Sequence, residues 1–343
     1  MKLCTRVPAL LLLLVTLVAC GSPEPDGYQT PTRITGEAMG SYYRITYLGG
    51  SIAGLQESVD SLLAAYNEEL SPWVAESTIS RFNRSDSGVT LAGTVHFVPN
   101  LELAAEVVAA TAGAYDPTVA PLVKYWGFGT GTKRETSVVD TAELAAVRGR
   151  VGFGLVSYEN GFLAKARPGV ELDLNASAKG YGVDLISALL DSLGRPNHLI
   201  DIGGEMRGGG SKNGQPWRVA IRAPEENAET IAPAGTLPLS GGRALATSGN
   251  YLNFYEVEGA KYSHTIDPRT GYVERNDLLS ATILAADCAT ADAYATACMV
   301  LGPEGALRLI EGHPELDGYF LVRGTGDTLE VRMSAGLRQA VDR

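Results

Sequence analysis

Asp173-Leu174-Asn175-Ala176-Ser177-Ala178-Lys179-Gly180-Tyr181-Gly182-Val183-Asp184 is the stretch from which the rest of the chain is read. Leu172 and Leu174 alternate with acids, so the run enters as the end of a strand. From Ser177 onward the apolar spacing is helical, with Val183, Ile186, Ala188, Leu189 and Leu190 leading to Gly194. Asn175 or Ser177 is placed to cap that helix, accepting a hydrogen bond from an amide that otherwise lacks a partner. The N-terminus of a helix favours anions through its free amides and its dipole. Lys179 puts a full positive charge in that first turn, an unfavourable position unless an anion lies beside it. The plainer reading of Lys179 is a solvated lysine on a helix face.

Upstream, Met39-Gly40-Ser41 leads into a strand over Tyr42–Tyr47, where aromatic and β-branched residues alternate. Leu55, Val59, Leu62, Leu63, Tyr66 and Leu70 recur at helical spacing, so Leu55–Glu69 is an amphipathic helix. Ser71-Pro72-Trp73 breaks it, and Glu76–Asn83 follows as a short helix or turn. Trp73 either stacks on a flat ligand or plugs the helix end against the core, and the plug is the simpler reading. After a helix over Leu101–Ala112, the prolines and glycines from Gly113 to Leu122 predict a fixed loop, in which Pro117 holds Asp116 extended. Gly127, Gly129 and Gly131 lack the strand and helix that a dinucleotide fingerprint requires. Thr141–Arg148 reads as a helix, and Val151–Glu159 with Phe162–Ala166 as a hairpin turning at Asn160-Gly161.

Downstream, His198–Ile202 is a buried strand that runs into the glycines of residues 203–210. These form a hairpin or a backbone that approaches a ligand closely. Trp217–Ile221 is a strand, Ala244–Asn250 leads into a hairpin strand at Tyr251–Val257 with its turn at Glu258-Gly259, and Tyr262 begins a strand that leaves into the tight turn before Gly271. Leu279–Ala285 is a strand, Ala289 opens a helix, Pro303 starts a last helix to Ile310, and Tyr319–Val322 and Thr328–Met333 close the chain as strands. Helices alternate with strands, but hairpins are frequent, so the class is α+β and a fully parallel sheet is excluded.

Asp292 and Thr296 lie four residues apart, so a carboxylate and a hydroxyl share one helix face. Oxygen donors of this kind, completed by phosphate oxygens, suit Mg²⁺; a helix-terminal acid that merely complements the dipole is the alternative. His264 is one of four histidines, and an isolated histidine serves structure as readily as catalysis. Cys288 and Cys298 pair or remain buried thiols, and no Cys/His cluster has zinc spacing.

Residues 1–19 read as a signal peptide, with Lys2 and Arg6 before the apolar run Ala9–Ala19, which is shorter than the ~20 residues of a spanning helix. Cys20 follows a small-residue cleavage site and resembles a bacterial lipobox cysteine, which becomes the lipidated N-terminus. Residues 20–34 then form a flexible tether, and 35–343 a single two-lobed domain. The expected location is the bacterial cell envelope, anchored to a membrane through lipid (palmitate among its acyl chains), with the domain on the periplasmic or extracytoplasmic side. Loss of Lys2 and Arg6 takes the net charge from −11 to −13. Such acidity argues against nucleic acid as a partner and calls for a divalent cation if the ligand is a polyanion.

Eight stretches together resemble the FAD:protein FMN transferase (ApbE-type flavin transferase) family, in family order over roughly residues 36–305. They are Met39-Gly40-Ser41; Leu70–Trp73 with Ile79–Asn83; Ala114–Val119; Asp173–Asp184; Gly203–Arg207; Ala246–Gly249; Tyr262–Gly271; and Ala291–Thr296. The resemblance implies an α+β fold of two lobes, with largely antiparallel or mixed sheets flanked by helices and a ligand cleft between the lobes. It implies that Asp292, Thr296 and the carbonyl of Ala176 hold Mg²⁺ against the pyrophosphate of FAD. Asp173 and Lys179 would contact FAD, and Met39, Trp73, Ala114, Tyr115 and Asp116 would line the flavin and adenosine sites. Ile266 would give backbone contacts and His264 would sit near the flavin or phosphate. Pro72 and Trp73 stand where Thr and Tyr are common, Glu205 where Asp is common, and Ala295 where some members carry an acid.

The implied reaction is attack by a Ser or Thr hydroxyl of an acceptor protein, a periplasmic or membrane redox subunit, on the FMN-side phosphorus of FAD. FMN becomes phosphoester-linked and AMP is released. Asp292 and His264 are the candidate bases. Two alternatives share the site: an FAD pyrophosphatase that uses water, and a non-catalytic FAD-binding lipoprotein.

Overall fold

The computed structural model describes residues 29–130, 132, 138–222, 233–239, 241–250, 254–257 and 260–341. Cys20, the apolar run before it, Gly131, Tyr251 and the Glu258-Gly259 turn lie outside the described residues. The strands are β1 (Pro31–Ala38), β2 (Ser41–Leu48), β3 (Gly88–Thr90), β4 (Val156–Glu159), β5 (Phe162–Lys165), β6 (His198–Ile202), β7 (Glu205–Gly209), β8 (Trp217–Arg222), β9 (Pro233–Leu239), β10 (Ala244–Gly249), β11 (Phe254–Val257), β12 (Ala260–Ser263), β13 (Leu278–Ala285), β14 (Asp317–Arg323) and β15 (Leu329–Met333). The helices are α1 (Leu55–Leu70), α2 (Thr78–Arg84), α3 (Phe97–Ala110), α4 (Ala120–Tyr125), α5 (Thr141–Arg148), α6 (Asn175–Ser192), α7 (Cys288–Glu311) and α8 (Ala335–Val341).

An eight-stranded sheet in the order β1-β2-β6-β7-β10-β13-β14-β15 forms the frame. Every neighbouring pair in it is antiparallel. Side chains alternate across a strand, and β13 uses both faces. Ala281, Ile283 and Ala285 join the apolar cluster that includes α7, while Leu284 joins the cluster under the β8–β9 ribbon. Leu55, Val59 and Leu63 of α1 pack with Val183, Ile186 and Leu190 of α6 and with Ile45 and Ile200 of the sheet. A separate, smaller core joins α4, α5 and the segment Ile266–Val273 through Leu122, Trp126, Leu144 and Val147. Trp126 donates its indole N–H to the Gly271 carbonyl at 2.8 Å, which ties this second lobe together.

Several local expectations are corrected. β1 starts at Pro31 and pairs with β2 along its whole length, so the ordered domain takes in the end of the expected tether 20–34. Residues 170–174 are not a strand. Their polar groups go instead to the Asn83 side chain, which bonds both the N–H and the carbonyl of Leu172, and to the Pro117 carbonyl, which accepts from Asp173 N–H. The expected loop 113–122 contains a 3₁₀ turn at Pro117–Val119 and the start of α4. Both prolines occupy first-turn positions, where the missing N–H costs nothing. Helix α3 begins at Phe97 rather than Leu101, and α8 has no counterpart in the sequence pattern. Gly302, at φ 69°, kinks α7 before Pro303. Cys288 and Cys298 are free and buried. Ten residues along one helix separate them by about 15 Å, so no disulfide joins them.

Candidate active site

The site is built where α6 crosses α7. A Cβ on Gly180 would sit 2.3 Å from the Cys288 carbonyl oxygen and 2.8 Å from the Ala289 Cα. Both are backbone atoms that cannot give way, so only glycine permits this approach. Alanine at 289, 291, 293, 295 and 297 keeps the facing helix slim. In a regular helix the Gly180 N–H points at the carbonyl four residues back, that of Ala176. Here it reaches Asp292 Oδ2 at 3.1 Å. One turn further on, Asp184 accepts the N–H of Cys288 and of Ala289, each at 2.9 Å, and pairs with Arg207. The expected caps at Asn175 and Ser177 are not used as such. Asp173 Oδ1 accepts the Asn175 N–H at 2.8 Å, and the Ser177 hydroxyl donates to the Leu174 carbonyl.

A cavity of about 570 Å³ opens beside this crossing, within the ~300–1,000 Å³ usual for ligand sites. Ala176, Lys179, Asp292 and Thr296 line it from α6 and α7, and Ala114, Tyr115, Asp116, His264 and Ile266 line it from the loops around residues 114–116 and 264–266. Asp173 and Asn175 are shared with an adjoining pocket of about 200 Å³ lined by Trp73, Arg84 and Lys124. The two segments around residue 176 and residues 292–296 therefore face one space.

Trp73 is 64 % exposed, so it does not plug the helix end. Met39 is not among the lining residues; it sits at the β1–β2 turn with φ 54°, and its Cε methyl packs near Gly182. The Asp116 carboxylate is occupied by its own loop, accepting from the Thr118 N–H and hydroxyl and from the Phe153 N–H. It shapes the wall rather than offering a free carboxylate. Tyr42 lines the cavity outside the family stretches, whereas Asn175 and Thr247 lie within two of them without an assigned ligand role. Ser248 belongs to one of the family stretches but carries no role there; its hydroxyl lies 3.3 Å from that of Thr296.

Glu205 is the largest omission among the assigned roles. Its Oε1 lies 2.7 Å from Lys179 Nζ, while its Oε2 is buried without a partner. Because α6 starts at Asn175, Lys179 is its fifth residue and not in the first turn, and the anion beside it is the chain's own carboxylate. Burial works against the Lys179 charge, but Glu205 and Asp292 together outweigh it and raise its pKa. Burial pushes the Glu205 carboxyl up, and Lys179 draws it partway back. Asp292 is raised well above the ordinary carboxylate range, first by burial and then by the negative charge of Glu205. Lys179 still exposes a third of its side chain and lines the cavity.

The ApbE family model matches residues 39–320. The chain belongs to the ApbE family. Among curated relatives, the "FAD:protein FMN transferase" of Vibrio cholerae is 35 % identical over 308 residues, covering 88 % of this chain and 90 % of that relative. Its Haemophilus influenzae counterpart is 34 % identical, covering 84 % and 86 %. Among solved structures, the flavin transferase ApbE from Vibrio cholerae aligns with TM-score 0.79 at 33 % identity, covering 91 % of this chain and 99 % of that one. The apo flavinyl transferase ApbE of Pseudomonas stutzeri aligns with TM-score 0.80 at 31 % identity, covering 91 % and 96 %. These ApbE structures share the α+β architecture.

Among the described residues no group of three or more His, Cys, Asp and Glu side chains has the arrangement of a metal centre. A magnesium ion held mainly by substrate phosphates does not need one, because Mg²⁺ keeps several waters and takes one or two protein carboxylates. Asp292, buried and strongly penalised for its charge, with the Thr296 hydroxyl on the same cavity wall and the Glu205 Oε2 unpartnered, fits that chemistry.

Proposed function

We propose that this chain transfers FMN from FAD to a Ser or Thr hydroxyl of an acceptor protein in a magnesium-dependent reaction. The observation that carries the reading is the meeting of Lys179, Asp292 and Thr296 on the wall of one cavity, in a chain whose full-length relatives are named FAD:protein FMN transferase. The acceptor hydroxyl oxygen attacks the FMN-side phosphorus. The bond from that phosphorus to the bridging oxygen breaks, and AMP leaves with the electron pair. His264, exposed at the cavity wall, and Asp292 on the same wall are the two candidate acceptors of the hydroxyl proton. Asp292, Thr296 and the Ala176 carbonyl would hold Mg²⁺, which supplies neutralisation of pyrophosphate charge when bound. Lys179 adds a fixed positive charge, Ile266 and the Ala114–Asp116 segment shape the wall, and Trp73 offers a ring for stacking. Phosphoryl transfer needs little beyond such positioning and electrostatics.

The lipobox reading of Cys20 adds an anchor in the cell envelope, with redox subunits at the membrane as acceptors. No helix among the described residues is long and apolar enough to cross a membrane. Incubation with FAD, MgCl₂ and an acceptor protein separates the possibilities. A fluorescent acceptor carrying the mass of one esterified FMN supports the transferase. FMN and AMP with no labelled acceptor would make the chain a pyrophosphatase, and unchanged FAD a binding protein.

A further inference from the structure

Asp184 touches neither the cavity nor any residue given a role in transfer. It is nevertheless the mirror of Asp292 across the helix crossing. Asp292 of α7 accepts the Gly180 N–H of α6. Asp184 of α6, one turn beyond Gly180, accepts the N–H groups of Cys288 and Ala289 of α7, one turn before Asp292. Each helix thus presents a carboxylate to the other's backbone, three or four residues from the amides it gives up. The Asp184 carboxylate also satisfies orphan donors at the start of α7, where the helix dipole favours a negative charge. Arg207 of β7 pairs with it, two residues from Glu205, the partner of Lys179.

We propose that Asp184 is a positioning residue for the transfer site. The reciprocal pair of carboxylates fixes the axial register of α6 against α7, and with it the placement of Asp292 and Thr296 relative to Ala176 and Lys179. Gly180 sets how close the helices come, and Asp184 sets where along their length they meet. An amide at this position has one acceptor oxygen and points a donor at the remaining N–H groups and at Arg207, so it disrupts the register while conserving volume. This inference rests on the magnesium-dependent reading above.

The test compares wild type with Asp184→Asn in two measurements. The first is the Mg²⁺ concentration giving half-maximal FMN transfer. The second is the rise in melting temperature that Mg²⁺ produces in the presence of FAD, a binding readout independent of turnover. Direct outer partners of metal ligands typically change affinity by about 10–100-fold; Asp184 acts one step further out, through the helix register, so both curves are expected to move about three- to tenfold toward higher Mg²⁺. The KM for FAD at saturating Mg²⁺ should stay within about twofold of wild type, and Asp184→Glu should recover part of the shift. A folded Asp184→Asn protein with unshifted curves overturns the inference. If Asp184→Asn does not fold, Arg207→Gln, which keeps both backbone contacts, should show a smaller shift in the same direction, and no shift there overturns it. Loss of folding in both also overturns it, since Asp184 would then support the whole domain and not the site. Absence of transfer and of any Mg²⁺ effect in wild type would instead refute the underlying function.

Discussion

The helix crossing and the shoulder around Trp73 border adjoining parts of one cleft, yet they are built in opposite ways. At the crossing, Gly180 lies against the Cys288 backbone, and Asp184 and Asp292 are tied to amides of the opposite helix. At the shoulder, Trp73 stands 64 % exposed, with its backbone N–H engaged by Ser71 Oγ at 3.3 Å. A diphosphate needs charges held at fixed separations, whereas a flat ring needs only a surface to lie on; in the proposed reaction the tightly packed crossing takes the first part and the exposed shoulder the second.

The same substitution placed at the crossing and far from it gives the largest contrast. Gly180→Ala should destabilise the protein by about 3 kcal/mol or more, because overpacking against backbone cannot relax through a rotamer, and transfer should be lost. Gly154→Ala, with nothing within 4 Å of the new methyl, should stay within about 0.5 kcal/mol of wild type. Denaturant midpoints measure both, and equal losses would dissolve the distinction.

Asp292→Ala should abolish transfer while changing stability little. Burial raises its carboxyl well above the ordinary range, so at neutral pH the native state is destabilised by this group relative to the unfolded chain, and relief of that cost offsets the loss of the Gly180 N–H contact. Melting temperature and turnover, measured on one preparation, check this, and near-wild-type activity would remove Asp292 from the site.

Lys179→Met should cost about 3 kcal/mol near pH 7, since it strands the buried Glu205 carboxyl. The pH dependence comes from the raised pKa of Lys179. A group bound more tightly to its proton in the folded state contributes fully below its unfolded value, about 10.4 for lysine. That contribution fades as pH climbs through the higher folded value. The gap between variant and wild type should persist from neutral pH to about 10 and shrink above it. A gap that closes as pH rises from about 6 to 8 would contradict the assignment.

Much of the frame is legible in the sequence because it rests on local patterning. The Leu55–Leu70 repeat, the Asn160-Gly161 turn and the apolar run of His198–Ile202 each state their own structure. The site is legible only in part. Asp292 and Thr296 announce themselves by spacing, but Glu205 lies 26 residues from Lys179, and no local pattern links the two. Asp116 is visible as an acid before proline, whereas its use by Thr118 and Phe153 depends on how the loop closes. A proline can break a helix or occupy its first turn, and those at 117 and 121 open helical turns. Residues 170–174 have a strand-like pattern but find the Asn83 side chain where a strand would find a neighbour.

The smallest expected effect is at the shoulder. Trp73→Ala should alter stability by no more than about 0.5 kcal/mol, while the loss of a stacking ring raises KM for FAD about fivefold. An unchanged KM would move the flavin ring elsewhere in the cavity.

The convergence of α6 and α7 on one diphosphate is tested most directly by a crystal grown with FAD and Mn²⁺ in place of Mg²⁺. An anomalous peak between the pyrophosphate and Asp292, with Thr296 and the Ala176 carbonyl within coordinating distance, is the predicted result. A pyrophosphate bound away from the helix crossing, or a metal ligated by neither Asp292 nor Thr296, would contradict it.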